Sequence, residues 1–175
     1  MNIILVGFRG TGKTTIGKIL AQRLHKKFVD SDERIERESG KTIKDIFAEN
    51  GEKYFRKVET QIIKELSLLD DVIISTGGGV ILKEENVKLL KKNGIIIFLH
   101  ADADILYKRI RNDSETQQNR PKLTEHGEFE EISYLIAYRW QFYDRAADFI
   151  LETTHISANQ AADKISYLIK NHVKI

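Results

Sequence analysis

The stretch Gly7-Phe8-Arg9-Gly10-Thr11-Gly12-Lys13-Thr14 follows directly on the apolar run Ile3-Ile4-Leu5-Val6. It fits the pattern Gly-x-x-x-x-Gly-Lys-[Ser/Thr] without a mismatch. Each part has a physical reason. Glycines let successive backbone N–H groups turn inward and approach phosphates with no Cβ in the way. A helix opening near Lys13 adds the positive end of its dipole and its unpaired N–H donors. Lys13 then reaches the β- and γ-phosphates, and the Thr14 hydroxyl is a hard oxygen ligand suited to Mg²⁺. Ile16, Ile19, Leu20 and Leu24 continue at helical spacing, so strand, loop and helix follow in the order the motif requires. The stretch reads as a nucleoside triphosphate site, with Gly10, Thr11, Gly12, Lys13, Thr14 and Thr15 around the phosphates.

Further along the chain, short apolar runs recur at Ile3–Val6, Phe28–Val29, Val72–Ile74, Ile95–Leu99 and Phe149–Leu151. Continuous rather than alternating hydrophobicity suits parallel strands buried on both faces. Helical patterns lie between them, near 13–25, 32–38, 43–69 with a break near Gly51, 83–92, 102–110, 128–146 and 158–171. This alternation predicts an α/β, doubly wound P-loop sandwich of about five parallel strands flanked by helices. Residues 1–175 read as one domain. The least patterned segment is Asn112–Thr124, polar and holding the only proline, Pro121. A long polar loop in such a fold reads as a mobile lid, here about 111–125.

Composition bounds the rest. The 175 residues suffice for one full core, and 28 Lys and Arg against 26 Asp and Glu give a formal charge of +2. No strong field invites nucleic acid or a membrane surface. Cysteine is absent, which removes disulfides, thiolate metal sites and thiol nucleophiles. No long apolar run or leader pattern is present, so the expected location is the cytoplasm.

The second strand ends in Val29-Asp30-Ser31-Asp32, and ligands collect at the carboxyl ends of parallel strands. One carboxylate here stands to hold Mg²⁺ through water, the other to accept a proton from a hydroxyl. Capping of a helix beginning at Glu33 needs only Asp30 or Ser31 and leaves the other spare. Phe55, Val58, Ile62, Leu66 and Leu69 form a core stripe, with Arg56 beside it at i, i+3 from Glu59. Spacing alone makes Arg56 part of a solvated helix face. The third strand ends in Ser75-Thr76-Gly77-Gly78-Gly79, which suggests backbone in close approach to a ligand or else a tight turn. It lacks the terminal Asp of motor-type P-loop proteins, and no Asn-Lys-x-Asp guanine motif occurs.

Spacing says most about Arg139, which falls on one helical face with Phe129, Ile132, Ile136, Tyr143 and Ala146. A guanidinium on a core-facing stripe is costly unless an anion from the protein or a ligand meets it. Arg120, held extended by Pro121, is a candidate cation for the transferring phosphoryl group. Arg9, Arg23 and Arg109 read as surface or helix charges. None of the five histidines stands at a metal or catalytic spacing.

Taken together these residues resemble the shikimate kinases, in the nucleoside-monophosphate-kinase branch of P-loop proteins. The resemblance runs over nearly the whole chain. It rests on the phosphate loop, Asp30-Ser31-Asp32, Ile46-Phe47, Gly51-Glu52-x-x-Phe55-Arg56-x-x-Glu59, Gly77-Gly78-Gly79, Arg120-Pro121-x-Leu123 and Arg139-x-x-x-Tyr143-x-x-Ala146. It implies transfer of the ATP γ-phosphoryl group to the 3-hydroxyl of shikimate, on the path to chorismate and the aromatic amino acids. By position, it implies that Asp32 holds the hydroxyls and serves as base, with a substrate region near 31–60. Arg56 and Arg139 would clamp the carboxylate, Gly77, Gly78 and Gly79 would meet the ring, and Phe47 and Phe55 would line the pocket. ATP would rest on the phosphate loop and Arg120, with Mg²⁺ at Thr14 and in outer shell at Asp30, in a monomer. Lys122 interrupts the usual pair of leucines after Arg-Pro, the lid is longer than in compact members, and Glu152-Thr153 lacks the following proline. Competing readings are another small-molecule kinase, such as a gluconate kinase, or a kinase-like regulatory protein without catalysis. The arginine and glycine set counts against the first, and the presence of Lys13, Thr14 and Asp32 against the second.

Overall fold

The computed structural model describes residues 1–113 and 127–172. Arg120 and most of the expected lid lie outside them. The elements are β1 (Asn2–Val6), α1 (Lys13–Leu24), β2 (Lys27–Asp30), α2 (Ser31–Ser39), α3 (Ile43–Leu66), β3 (Val72–Ser75), a 3₁₀ turn Val80–Leu82, α4 (Glu84–Lys91), β4 (Gly94–His100), α5 (Ala103–Asn112), α6 (Glu128–Ala146), β5 (Phe149–Glu152) and α7 (Ala158–His172).

The five strands form one parallel sheet in the order β2-β3-β1-β4-β5. Alternate residues of β1 serve opposite layers. Ile4 and Val6 join a core with Ile74, Ile96, Phe98, the inner face of α3 and the end of α6. Ile3 and Leu5 join another, with Ile73, Ile97, Leu99, α1 and α7. Burial on both faces is why the central strands β1, β3 and β4 read as unbroken apolar runs, while the edge strands β2 and β5 stay partly exposed. From β1 the chain goes to β2 and β3 on one side and then crosses to β4 and β5 on the other, so the strand order reverses at β1 and a crevice is expected beyond its carboxyl end. The phosphate loop fills that position. Among the described residues no helix is long and apolar enough to cross a membrane.

Local signals account for most boundaries. Thr42 caps α3, its hydroxyl oxygen accepting the Asp45 N–H at 3.1 Å. The expected break at Gly51 is present, with φ 76° interrupting the helix. Three details differ from the sequence reading. Asp30 is the cap of α2, which begins at Ser31 rather than Glu33. Phe129 is 41% exposed, packed edge-on against Tyr107 of α5 at 5.6 Å rather than in the core. Ile132 is buried on that face as expected, with Leu135 buried beside it. Leu69 lies beyond the end of α3 and is 38% exposed.

Candidate active site

Two clefts meet at the carboxyl edge of the sheet. The first is the phosphate loop. Gly10 and Gly12 hold φ of 81° and 89°, a region that side chains avoid, and Gly12 caps α1 without any side-chain bond. The helix N-terminus is therefore left facing the cleft. The Lys13 ammonium is buried and donates to the Gly7 and Phe8 carbonyls, both at 2.9 Å. Thr11 turns its hydroxyl onto the Phe8 carbonyl at 2.8 Å, closing the loop on itself, while Gly10, Gly12, Lys13, Thr14 and Thr15 line the cleft. The Thr14 hydroxyl donates to Asp30 Oδ2 at 2.9 Å, and Asp30 Oδ1 accepts the Asp32 N–H at 2.9 Å. Asp30 thus caps α2 and reaches the loop at once. The Thr14 and Asp30 oxygens, hard donors beside a phosphate cradle, fit the preference of Mg²⁺ for oxygen ligands.

Arg109 corrects the sequence reading. It is not a plain helix charge: from α5 it donates to the Thr153 carbonyl at 2.8 Å and the Gly10 carbonyl at 3.4 Å, and it lines this cleft. Arg23 is a surface charge, paired with Asp163 at 2.7 Å.

The second cleft draws together Phe8, Arg9, Asp32, Ile43, Phe47, Phe55, Arg56, Glu59, Gly77, Gly78, Gly79 and Arg139. Every acceptor-side residue singled out from the sequence is on its wall. Phe47 and Phe55 form its apolar side, their ring centroids 4.7 Å apart and their planes tilted by 39°. Arg139 is 8% exposed. Its Nη1 lies a long 3.4 Å from the Gly78 carbonyl, and its Nε has no hydrogen-bond partner among the described residues. Arg56 is held differently, with Nη1 on both Glu59 oxygens at 3.0 and 2.9 Å and Nη2 on Glu52 at 3.0 Å. Burial works to lower the Arg56 pKa, but Glu59 and Glu52 outweigh it and raise it above the usual value. Burial pushes the Glu59 carboxyl up to about 7 against the pull of Arg56, while the Asp32 charge adds to the rise.

Glu59 was missed as a pocket residue. The sequence stripe took Val58, but the face buried in α3 is Phe55, Glu59, Ile62 and Leu66, with Val58 only half-buried. A carboxylate on that stripe carries the same signal as Arg139, and the two residues line one pocket.

The glycine run also gains a cause. None of Gly77, Gly78 and Gly79 has positive φ; the constraint is closeness. A Cβ on Gly79 would lie 2.5 Å from the Arg56 guanidinium nitrogens, and one on Gly77 would lie 2.6 Å from Asp32 Oδ1. Gly78 presents its carbonyl to the Tyr143 hydroxyl at 2.6 Å. The two clefts share Arg9 and Asp32. An arrangement of a phosphate cradle, a shared carboxylate and a buried cationic pocket is suited to moving a phosphoryl group onto a hydroxyl of a small anion.

Comparison with known proteins agrees with that geometry. A family model described as shikimate kinase matches residues 9–170. A shikimate kinase of Caldicellulosiruptor bescii is 45% identical over 94% of this chain and 92% of its own length. One of Pelotomaculum thermopropionicum is 41% identical over 98% and 96%. Among solved structures, the shikimate kinase from Acinetobacter baumannii in complex with shikimate superposes with a TM-score of 0.91 at 37% identity, covering 99% of this chain and 95% of that one. With cradle, shared carboxylate and paired arginines all in place along a chain matched almost end to end, this protein belongs to the shikimate kinase family.

Proposed function

We propose that this chain transfers the γ-phosphoryl group of ATP to the 3-hydroxyl of shikimate, giving shikimate 3-phosphate and ADP. Arg139 carries the reading. A buried guanidinium with its Nε unmatched among the described residues needs an anion, and the carboxylate of a small hydroxy acid supplies one in a paired geometry. Arg56 stands across the same pocket, its charge divided between Glu59 and Glu52, and takes the other side of that carboxylate.

In the reaction, Asp32 accepts the hydroxyl proton as the substrate oxygen forms its bond to the γ-phosphorus. The bond from that phosphorus to the β–γ bridging oxygen breaks, and its electron pair leaves with ADP. Lys13 turns from the Gly7 and Phe8 carbonyls to the β- and γ-phosphates, aided by the open N-terminus of α1. Thr14, with Asp30 in the outer shell, would hold Mg²⁺, which would supply positive charge against the phosphate oxygens. Arg120 is assigned to the ATP phosphates by the family resemblance. Most of the rate gain comes from positioning and fixed charge rather than covalent participation. We infer that residues 1–175 act as one monomeric kinase domain in the cytoplasm, where ATP is at hand.

The test is product identity. Purified protein with Mg²⁺-ATP and shikimate should give ADP and a phosphate monoester on the 3-oxygen in equal amounts by ³¹P NMR. Free phosphate in place of the ester, or ester formed only when gluconate replaces shikimate, would overturn the reading.

A further inference from the structure

The walls of the two clefts have Asp32 and Arg9 in common. Asp32 is the anion there and Arg9 the cation, so Arg9 stands where a phosphoryl group must pass. We propose that Arg9 is a further catalytic residue, contacting the phosphoryl group in transfer and holding it on the product, and that Glu131 is its positioning residue. This rests on the reading of the site as one for shikimate phosphorylation.

Position 9 is a variable place in the phosphate-loop motif, so the motif itself does not call for arginine. Its setting is nonetheless built. The guanidinium lies 5.6 Å from the Phe8 ring centroid, and Nη2 meets Glu131 Oε1 at 3.4 Å. Glu131 is 3% exposed, near the start of α6, on a face otherwise filled by Ile132 and Leu135. A carboxylate so buried is costly without a cation, so Arg9 is drawn to one place. The contact is long, and a guanidinium fork can keep one edge on Glu131 while turning another to phosphate oxygens.

Arg139 lies over the same Phe8 ring at 5.7 Å but lines the acceptor cleft alone. The two arginines on one ring therefore divide the work: Arg139 faces the end of the substrate that carries charge from the outset, and Arg9 the end that gains it. Shikimate presents a neutral hydroxyl at that end, whereas the product presents a phosphate monoester with nearly two negative charges. Arg9 accordingly discriminates product from substrate.

The experiment is calorimetric titration of shikimate and of shikimate 3-phosphate, separately, into the wild-type chain and Arg9→Met. The variant should bind the phosphate ester roughly tenfold or more weakly, the loss expected for a charge-assisted contact, with shikimate affinity within about twofold. Its kcat should fall by a similar factor while KM for shikimate holds. Arg9→Met leaves Glu131 buried without this partner, so Arg9→Met/Glu131→Gln is measured beside it and should show the same selective loss. Glu131→Gln alone should weaken ester binding several-fold with shikimate unchanged, a selectivity that a purely structural role would not give. Equal weakening of both ligands, or unchanged ester affinity, overturns the assignment of Arg9. A wild-type chain that binds both ligands while the variants keep their ratio overturns this inference alone; one that binds neither ligand overturns the shikimate reading with it.

Discussion

Half of the wall of the phosphate-loop cleft comes from one continuous stretch, Arg9 to Thr15, whereas the acceptor cleft is assembled from the loop, α2, α3, the Gly77–Gly79 backbone and α6. The first offers N–H groups and a lysine to a shape that every nucleoside triphosphate carries. The second opposes Arg56, Arg139 and Arg9 to Asp32 and Glu59, a charge pattern that fits few molecules. Affinity for the donor therefore resides in geometry, and selectivity for the acceptor in a balance of buried charges.

That division can be broken or sharpened by substitution. The largest effect is expected where the clefts join: Asp32→Asn should lower kcat by roughly 10²–10⁴, the range for loss of a general base, with the fold intact by circular dichroism. Near-normal turnover would remove Asp32 from that role. Next, Arg139→Ala should weaken shikimate binding by roughly 10- to 100-fold, as for loss of a charge-assisted pair, while ATP affinity measured by titration stays within about twofold. Equal loss of both would mean that the clefts are not separate in energy.

Glu59 gives a pH signature. Its folded pKa of about 7 stands above the 4.5 of an exposed glutamate in the unfolded chain, so the folded chain holds this proton more tightly. The stabilising contribution is complete below the unfolded value and is lost as pH rises through about 7. Melting curves between pH 5 and 8 should show wild type losing stability relative to Glu59→Gln as pH rises, by at most about 1.4 kcal/mol per pH unit. Parallel curves for the two proteins would contradict the burial argument. The smallest effect belongs to Gly79→Ala. The new Cβ would meet the far end of a flexible arginine, so Arg56 shifts and the fold survives. Shikimate affinity should fall only several-fold, roughly 1 kcal/mol, with ATP binding unaltered in the same titrations.

The same contrast explains what the sequence revealed. The phosphate loop is legible because all its parts are neighbours in the chain, and the sheet because parallel strands buried on both faces leave unbroken apolar runs such as Ile3–Val6. Arg139 could be found because a cation on a helical core stripe is conspicuous. Glu59 stays hidden in the sequence because the apolar spacing runs through Val58, one residue away from the face the helix buries. Arg109 and Arg9 read as ordinary surface charges because their partners are remote in sequence. Arg109 meets Thr153 after β5, and Arg9 meets Glu131 on α6. Phe129 reads as core because spacing describes a helix face but not how deeply each of its turns is covered. Local grammar shows a cradle; long-range pairing of charges becomes visible only when the chain is folded, or when a family resemblance supplies the pairing.

The most direct test of the acceptor pocket as a carboxylate-selective site compares initial rates of ADP formation with shikimate and with its methyl ester, at equal subsaturating concentration, in wild type and Arg139→Ala. Wild type should prefer the free acid by roughly tenfold or more, as a charge-assisted pair requires, and the preference should collapse in the variant. Equal rates with acid and ester in the wild-type protein would contradict it.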